Sequence, residues 1–245
     1  MVKKKNKITA VIQARLNSTR FKNKILKKIK GKEVIKILIE RLKLSKEIND
    51  IIVAIPNTRS NDSLELFLKK NNINVFRGSE KNVLKRFLEC SRKNNINNIV
   101  RITSDCPLID PKILDKMARE FKKNNLDYFS NIQERTFPDG MDIEFIKKET
   151  LEKSYKNVIY DYDKEHVTPY ILRSNIFKKR NYLNKKDYSG IRITLDYPSD
   201  LKILSKIIKS FKNLNFGFDE IIRVYYNLKF KKENKKENLR IDWSL

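Results

Sequence analysis

The sequence has few cysteines and no long apolar segment, so it lacks both the disulfides that stabilise small secreted domains and the segments that anchor a chain in a bilayer. Its two cysteines, Cys90 and Cys106, form no disulfide framework and no metal-ligand spacing, so reduced thiols are expected. Its longest apolar runs, such as IIVAI at 51–55, are far shorter than the roughly 20 residues of a transmembrane helix. The basic N-terminus, MVKKKNK, leads into a strand pattern rather than a signal-peptide core. We expect a cytoplasmic protein with no membrane span.

Glycine is also scarce, and none lies in the segment that follows the first apolar run. That segment, ARLNSTRFKNKIL at 14–26, is rich in Arg, Lys, Ser and Asn. Glycine-rich phosphate loops bind anions with backbone N–H groups. A loop without glycine would have to use side-chain charge, here from Arg15, Arg20 and Lys24. The alternative is a solvated basic turn in a chain that is basic throughout.

Acidic residues are outnumbered, with 30 Asp and Glu against 55 Lys and Arg, which gives a net charge of +25. Such a charge attracts polyanions on general grounds. The basic residues are mostly Lys scattered among Asn and Ile, however, and no zinc-finger spacing, aromatic RNA-binding signature or basic-region heptad occurs. We expect a compositional bias and no specific nucleic-acid partner. The basic C-terminal tail, about 230–245, is predicted to end a helix in solvent.

Short β-branched runs alternate with amphipathic helical patterns through the first half of the chain. Strands are predicted at 8–14, 50–55, 73–77 and 98–103, and helices at 34–44, 62–71 and 81–94. Because the strands are apolar throughout, they indicate a mostly parallel sheet covered on both faces, as in a Rossmann-like α/β fold.

The pattern is looser in the second half. Helices are predicted from Pro111 to about 124, over EHVTPYILR and from Pro198 to Ser210, and strands over MDIEFI and IRITL at 191–195. With no linker and no internal repeat, we expect one domain over 1–245 with an insertion at about 130–190.

Two carboxylates follow predicted strands directly. Asp105 comes after NIVRIT and Asp196 after IRITL. Ligands of such sheets bind at the carboxyl ends of the strands, so these residues are expected to converge opposite the basic loop. Each Asp alone is also a common turn cap. Magnesium bridging phosphates typically uses one or two protein carboxylates, and phosphoryl or nucleotidyl transfer needs such charge neutralisation. We predict a Mg²⁺ site at Asp105 and Asp196.

Six segments stand in the order found in one known family: QARLNSTRFKNKIL, RGSEKNVLKRF, RITSDCPLID, PDGMDIEF, KEHVTPY and RITLDYPSDL. They resemble the spore-coat-polysaccharide type of cytidylyltransferase-like proteins and, more distantly, the synthetases of CMP-Kdo and CMP-sialic acid. The likeness spans about residues 7 to 210. It implies a nucleotide-diphospho-sugar transferase (GT-A-like) fold with a small inserted sugar-binding or dimerisation region. It also implies Mg²⁺, a nucleoside triphosphate (CTP), a sugar or sugar-acid substrate and a possible homodimer.

The resemblance assigns roles to individual residues. It places nucleotide contacts at Ala14, Arg15, Ser18, Arg20 and Lys24, catalytic groups at Arg15, Lys24 and Asp105, and the metal at Asp105 and Asp196. The chain departs from the family twice. Lys22-Asn23 stands where Pro-Gly is usual, which puts the tight turn that aims Lys24 in doubt, and Asn82 stands where Asp is frequent.

The downstream motifs are expected to shape the sugar pocket. Asp139 lies in a tight Pro-Asp-Gly turn, and Asp142 and Glu144 would share one strand face and receive sugar hydroxyls. His166 resembles a substrate-side residue of the family, and Arg192 would hold a substrate phosphate or carboxylate. The alternatives are a solvent-facing acidic pair, a structural histidine and a surface ion pair.

These observations favour a Mg²⁺-dependent nucleotidyltransferase, a cytidylyltransferase, that activates a sugar or acidic sugar for cell-surface polysaccharide synthesis and releases pyrophosphate. Two alternatives stay open at this point. One is a glycosyltransferase of the same fold that consumes a nucleotide sugar. The other is a non-enzymatic polyanion-binding protein.

Overall fold

The computed structural model describes residues 7–228 of the chain. Its strands are β1 (Ile8–Gln13), β2 (Lys28–Ile29), β3 (Lys32–Glu33), β4 (Ile48–Pro56), β5 (Asn74–Gly78), β6 (Asn98–Thr103), β7 (Tyr128–Ser130), β8 (Glu144–Lys147) and β9 (Lys179–Asn181). Seven of them form one sheet in the order β5-β4-β1-β6-β8-β7-β9. Strands β5, β4, β1 and β6 are parallel, and β8 is antiparallel to its neighbours β6 and β7. The predicted mostly parallel α/β sheet is confirmed.

Nine α-helices lie within residues 7–228. They are α1 (Val34–Leu42), α2 (Asp62–Lys70), α3 (Val83–Lys93), α4 (Pro111–Lys123), α5 (Lys148–Asn157), α6 (Asp161–His166), α7 (Pro169–Arg173), α8 (Pro198–Lys209) and α9 (Phe218–Asn227). None of these helices combines the length and apolarity needed to cross a bilayer. The predicted C-terminal tail lies outside the described residues.

Helices cover both faces of the central strands, as the continuous apolar strands require. Along β1, Ile12 packs in a cluster with Leu38 of α1 and Phe121 of α4, whereas Val11 points to the other face and packs with Phe87 of α3. Burying a side chain of this size stabilises the fold by about 1.5–3 kcal/mol. The carboxyl ends of the strands are thereby held in one rigid row.

The segment 191–195 differs from its prediction as a strand. It forms one isolated bridge, between Asp139 and Arg192, and otherwise bonds to loops. The N–H of Ile193 donates to the carbonyl of Asp139 at 2.7 Å, and that of Leu195 donates to the carbonyl of Asp105 at 2.9 Å. The alternating apolar side chains pack on a cluster formed with α8 and α9, not on a neighbouring strand. The segment still delivers Asp196 beside Asp105.

The helix predicted over EHVTPYILR is also different, because it is two short helices. Helix α6 ends at His166, and α7 begins at Pro169. Between them Val167 has φ of 73°, which no α-helix allows. Proline has no N–H to donate to the preceding turn, so it begins a new helix instead of continuing the old one.

Candidate active site

The loop after β1 is fixed by backbone contacts at both ends. The N–H of Ala14 donates to the carbonyl of Ala54 at 3.2 Å, and the N–H of Leu16 donates to Oδ1 of Asn61 at 3.0 Å. The buried Leu16 in turn accepts a bond from the N–H of Asn23 at 3.3 Å. The loop is therefore closed without glycine, and its basic side chains project from a defined backbone.

Asn23 supplies the conformation that a glycine would supply at this position. Its φ of 53° lies in the left-handed region, which Asn adopts more readily than most other residues with a side chain. Lys24 follows at once and begins a short 3₁₀ turn, Lys24–Leu26. Lys22-Asn23 in place of Pro-Gly therefore leaves the tight turn in place, and Lys24 still points into the site.

Lys24 brings the two predicted metal carboxylates together. Its Nζ donates to Oδ2 of Asp105 at 2.7 Å and to Oδ1 of Asp196 at 2.8 Å, and its side chain is 10% exposed. Burial acts to lower the pKa of Lys24, but the negative charges of Asp105 and Asp196 outweigh it, and the pKa is raised. A charged ammonium thus sits between two carboxylates at the strand edge.

Asp196 is held from the opposite side by Arg192. The Nη2 of Arg192 donates to Oδ2 of Asp196 at 2.8 Å and to Oδ2 of Asp200 at 3.2 Å, and its Nη1 donates to Oδ2 of Asp139 at 2.6 Å. Burial acts to raise the pKa of Asp196, but the charge of Lys24 and the bonds from Lys24 and Arg192 outweigh it, so the pKa is lowered. Asp196 is consequently an ionised, oriented carboxylate.

Arg192 does not occupy the position expected of a substrate ligand. Its side chain is 7% exposed, and three carboxylates take up its terminal nitrogens. The sequence spacing to Asp196 indicated an ion pair as an alternative, and the pair is present but buried. Arg192 orients Asp196, and its remaining nitrogen, Nε, is buried and has no partner within residues 7–228, so no exposed guanidinium edge is left for a phosphate.

The other cations of the loop are more open. Arg20, with a side chain 53% exposed, donates to Oδ1 of Asp196 at 3.1 Å and lies 5.2 Å from the ring centroid of Tyr197. Arg15 is exposed, and within residues 7–228 no hydrogen bond or ion pair holds its guanidinium. Ser18, further along the loop, is half-buried, and its N–H donates to the carbonyl of Leu16 at 2.8 Å. Arg15 is therefore available to an anion without first giving up a carboxylate.

Sequence reasoning missed another arginine, Arg86, whose charge interacts with that of Arg15. Arg86 is 2% exposed on the apolar face of α3, its Nη1 donates to the carbonyl of Ser79 at 2.7 Å, and its Nε has no partner in the part of the chain that the structure describes. Burial, aided by the charges of Arg15 and Arg101, lowers the pKa of Arg86 to about 10. The available signal was an arginine among the apolar positions of an amphipathic helix. At the start of that helix, Asn82 caps the N–H of Lys85 at 2.8 Å.

Glu144 is a structural residue, contrary to the prediction that it receives a sugar hydroxyl. Its side chain is 3% exposed, one oxygen is paired with Arg101, and the other accepts the hydroxyl of Tyr128 at 2.7 Å. Strand β8 begins at Glu144, so Asp142 precedes the strand and does not share the expected strand face. Both oxygens of Asp142 are bound by Arg135, at 2.8 and 2.9 Å.

The Pro-Asp-Gly turn is a close approach of two chain segments. Gly140 has φ of 104°, and a Cβ there would lie 2.6 Å from the backbone of Ile193. This contact sets Asp139 beside Arg192. Burial and the neighbouring Asp142 raise the pKa of Asp139 to about 6, even though Arg192 opposes the shift.

His166 is half-buried at the end of α6. Its ring centroid lies 4.4 Å from that of Tyr162, and burial lowers its pKa. The charges of Arg15 and Arg101 act in the same direction, while that of Glu165 opposes them. The charge of Arg15 thus reaches His166, and the assignment of His166 to the substrate side stays a prediction.

The donors present fit a magnesium ion. Asp105 and Asp196 offer hard carboxylate oxygens that converge on one point, and both side chains retain some exposure, 24% and 14%. Within residues 7–228 no group of three or more His, Cys, Asp or Glu forms a metal cluster. A two-carboxylate site is nevertheless the arrangement that Mg²⁺ uses when phosphates and water complete its coordination.

Comparisons with known proteins agree with this geometry. A family model described as cytidylyltransferase matches residues 9–242. An uncharacterized protein of Methanocaldococcus jannaschii is 39% identical over 219 residues, which is 88% of this chain and 89% of that protein. The spore coat polysaccharide biosynthesis protein SpsF of Bacillus subtilis is 29% identical over 210 residues, 82% of this chain and 86% of that protein.

Solved structures agree as well. A cytidylyltransferase from Leptospira borgpetersenii superposes with a TM-score of 0.89 at 35% identity, over 94% of this chain and 98% of that one. A CMP:2-keto-3-deoxy-manno-octonic acid synthetase complexed with CTP has a TM-score of 0.64 over 83% of this chain and 99% of that one. At 15% identity the latter shows the fold alone. The resemblance inferred from the six motifs is confirmed.

Proposed function

The chain belongs to the cytidylyltransferase family, and from this premise we propose that it transfers the cytidylyl group of CTP to a hydroxyl of a sugar or sugar acid. Pyrophosphate is the product released, and the activated sugar serves the synthesis of a cell-surface polysaccharide. The observation that carries the proposal is the convergence of Asp105 and Asp196 on Lys24 beside a basic loop. The reaction needs charge neutralisation where the α-phosphate and the leaving pyrophosphate lie.

Asp105 and Asp196 are the residues that would hold Mg²⁺. When bound, the ion would supply neutralisation of phosphate charge and help to align the reacting oxygens. Arg192 contributes by fixing the orientation of Asp196, and the N–H groups of Asp196 and Tyr197 fix Asp200 at 2.7 and 2.9 Å.

The loop residues would bind the triphosphate. Arg15 is exposed and pairs with no carboxylate among the described residues, and Arg20 is half in solvent, so both can reach phosphate oxygens. Arginine presents a planar fork that matches two phosphate oxygens, which compensates for the missing glycine-rich backbone cradle. Ala14 directly follows β1, and Ser18 lies within the loop. Both would contact the nucleotide together with these arginines.

The acceptor side is formed by Asp139, Asp142 and His166. The two aspartates keep part of their surface open, and they would accept hydrogen bonds from sugar hydroxyls. The sugar chemistry is suggested by the relative from Bacillus subtilis, which is named for spore coat polysaccharide biosynthesis.

The test is pyrophosphate release with each of the four nucleoside triphosphates, Mg²⁺ and a panel of sugars, sugar acids and sugar phosphates. We expect CTP to be preferred, and Asp105→Asn and Asp196→Asn to lose roughly 10²–10³-fold in rate, as removal of a charge-stabilising group does elsewhere. Lys22→Ala, an exposed loop change, is the matched control.

Two outcomes would contradict the proposal. Release of nucleoside diphosphate from a nucleotide sugar would indicate a glycosyltransferase of this fold. Salt-sensitive RNA binding with no turnover of any triphosphate would indicate a polyanion-binding protein.

A further inference from the structure

Lys24 occupies the point where the two carboxylates would hold a divalent cation. Its Nζ is bonded to one oxygen of Asp105 and one of Asp196, at 2.7 and 2.8 Å. Magnesium would bind such oxygens at about 2.0–2.1 Å. An ammonium and a divalent ion compete for the same lone pairs and repel each other, so both cannot occupy this point at once.

We propose that Lys24 is the internal counter-ion of the metal-free site, and that a divalent cation can bind Asp105 and Asp196 only by displacing it. This inference rests on the proposed function for the identity of the two ligands, metal and triphosphate. Once displaced, the ammonium needs new acceptors, and phosphate oxygens at the loop are the ones that the second ligand brings. Metal and triphosphate therefore bind with positive coupling, and metal alone binds weakly.

The neighbouring cations cannot play this part. Of the two carboxylates, Arg20 contacts Asp196 and not Asp105, and its side chain is half exposed to solvent. Arg192 is fixed by Asp139 and Asp200 as well as Asp196, so it cannot leave without unpairing buried charge. Lys24 has a flexible four-carbon stem and no partner for its Nζ besides the two carboxylates within residues 7–228.

The experiment measures Mn²⁺ binding to the nucleotide-free protein, by calorimetry and by electron paramagnetic resonance of the free ion. We compare the parent protein with Lys24→Gln, whose amide still donates to a carboxylate, and with Lys24→Met. Arg20→Gln is the matched control, because it removes one positive charge from Asp196 without opening the space between the carboxylates. Thermal unfolding of each variant establishes that it is folded.

We expect both Lys24 variants to bind Mn²⁺ at least tenfold more tightly than the parent, and Arg20→Gln to gain less than threefold. The gain should disappear in the double variant Asp105→Asn/Lys24→Gln, which places the ion at this pair. If Lys24→Met does not fold, Lys24→Gln alone decides.

The inference is overturned if the Lys24 variants bind Mn²⁺ no more tightly than the parent, including the case in which no protein binds it measurably. It is also overturned if Arg20→Gln gains as much as Lys24→Gln, since the effect is then general charge and not occupancy. A gain at Lys24 with no CTP-dependent pyrophosphate release would refute the proposed function and leave this inference standing. CTP-dependent pyrophosphate release without tighter Mn²⁺ binding by the Lys24 variants would refute this inference and leave the proposed function standing.

Discussion

Replacing Arg192 should damage the proposed metal site without removing any group that we place against a substrate. Its guanidinium joins Asp139, Asp196 and Asp200, and its side chain is 7% exposed. Asp200 is 3% exposed and would be left without its cation. We therefore expect losses in both stability and metal affinity, with the Michaelis constant for the acceptor changing little.

The loss of stability depends on which side chain replaces the guanidinium of Arg192. Removing one partner of a buried ion pair typically costs about 3–5 kcal/mol, and we expect this for Arg192→Gln. For a chain of this size that corresponds to a fall in Tm of roughly 6–20 °C. Arg192→Lys keeps the charge but cannot bridge three carboxylates, so the loss is about 1.5–3 kcal/mol, the worth of one charged hydrogen bond.

Urea unfolding gives the free energies, and the Mg²⁺ concentration for half-maximal pyrophosphate release gives the effect on the site. Arg180→Lys and Arg180→Gln, at an exposed position of β9, are the matched controls. If Arg192→Gln is within 0.5 kcal/mol of the parent, or about the scatter of surface changes, the network does not hold the fold. A selective rise in the acceptor's Michaelis constant would instead make Arg192 a substrate ligand.

Three further changes test the loop, Asp196 and the net charge. Arg15→Lys should weaken triphosphate binding roughly ten- to a hundredfold because the fork is lost, whereas Lys22→Ala should bind as the parent does; equal affinities by calorimetry would reduce the loop to a basic turn. Because the folded pKa of Asp196 lies below its ordinary value of 3.8, its contribution to stability is present above about pH 4 and is lost as the pH falls through the folded pKa. Asp196→Asn should therefore be less stable than the parent at pH 6 and equally stable well below pH 3.8, and a pH-independent difference in urea unfolding would speak against the assignment. Binding to random RNA should be weak, with Kd of roughly 10⁻⁴–10⁻⁶ M at physiological salt, and submicromolar sequence-selective binding would show that the +25 charge is a nucleic-acid footprint.

The parallel half of the sheet could be predicted because its pattern is locally determined. Strand β6 lies where it was expected, at Asn98–Thr103, and β1, β4 and β5 differ only at their ends. Their apolar runs are buried on both faces, which few other structures permit. The place of Asp105 followed from this, since it comes after β6 at the sheet edge where ligands bind. Asp196 was expected there as the end of a further strand, but bonds from Ile193 and Leu195 to loop carbonyls bring it beside Asp105.

The remaining elements depend on contacts between residues that are distant in the sequence, which a local pattern cannot predict. The short hairpin β2–β3 turns at Lys30 and Gly31, both with positive φ, but its strands have two residues each and give no periodic signal. The segment 191–195 alternates as a strand does, yet its partners are loop carbonyls. Glu144 was predicted to receive sugar hydroxyls from its place on a strand face, with a solvent-facing position as the alternative, and only the placement of Arg101 across the sheet explains why it is buried.

The net charge of +25 does not describe the candidate active site, where charges are paired locally. The carboxylates and cations that meet there are Asp105, Asp139, Asp196 and Asp200 against Lys24, Arg20 and Arg192. Opposite charges at these distances in a partly buried site interact strongly, whereas exposed lysines more than about 8–10 Å away are screened by salt. The attraction of this site for a triphosphate would therefore be set by which carboxylates are already satisfied, and a divalent cation at Asp105 and Asp196 would free Lys24. The scattered lysines would act on a different scale, as weak and unspecific attraction for any polyanion, so we expect the enzyme's specificity to originate in the paired charges of the site and not in the charge that dominates its composition.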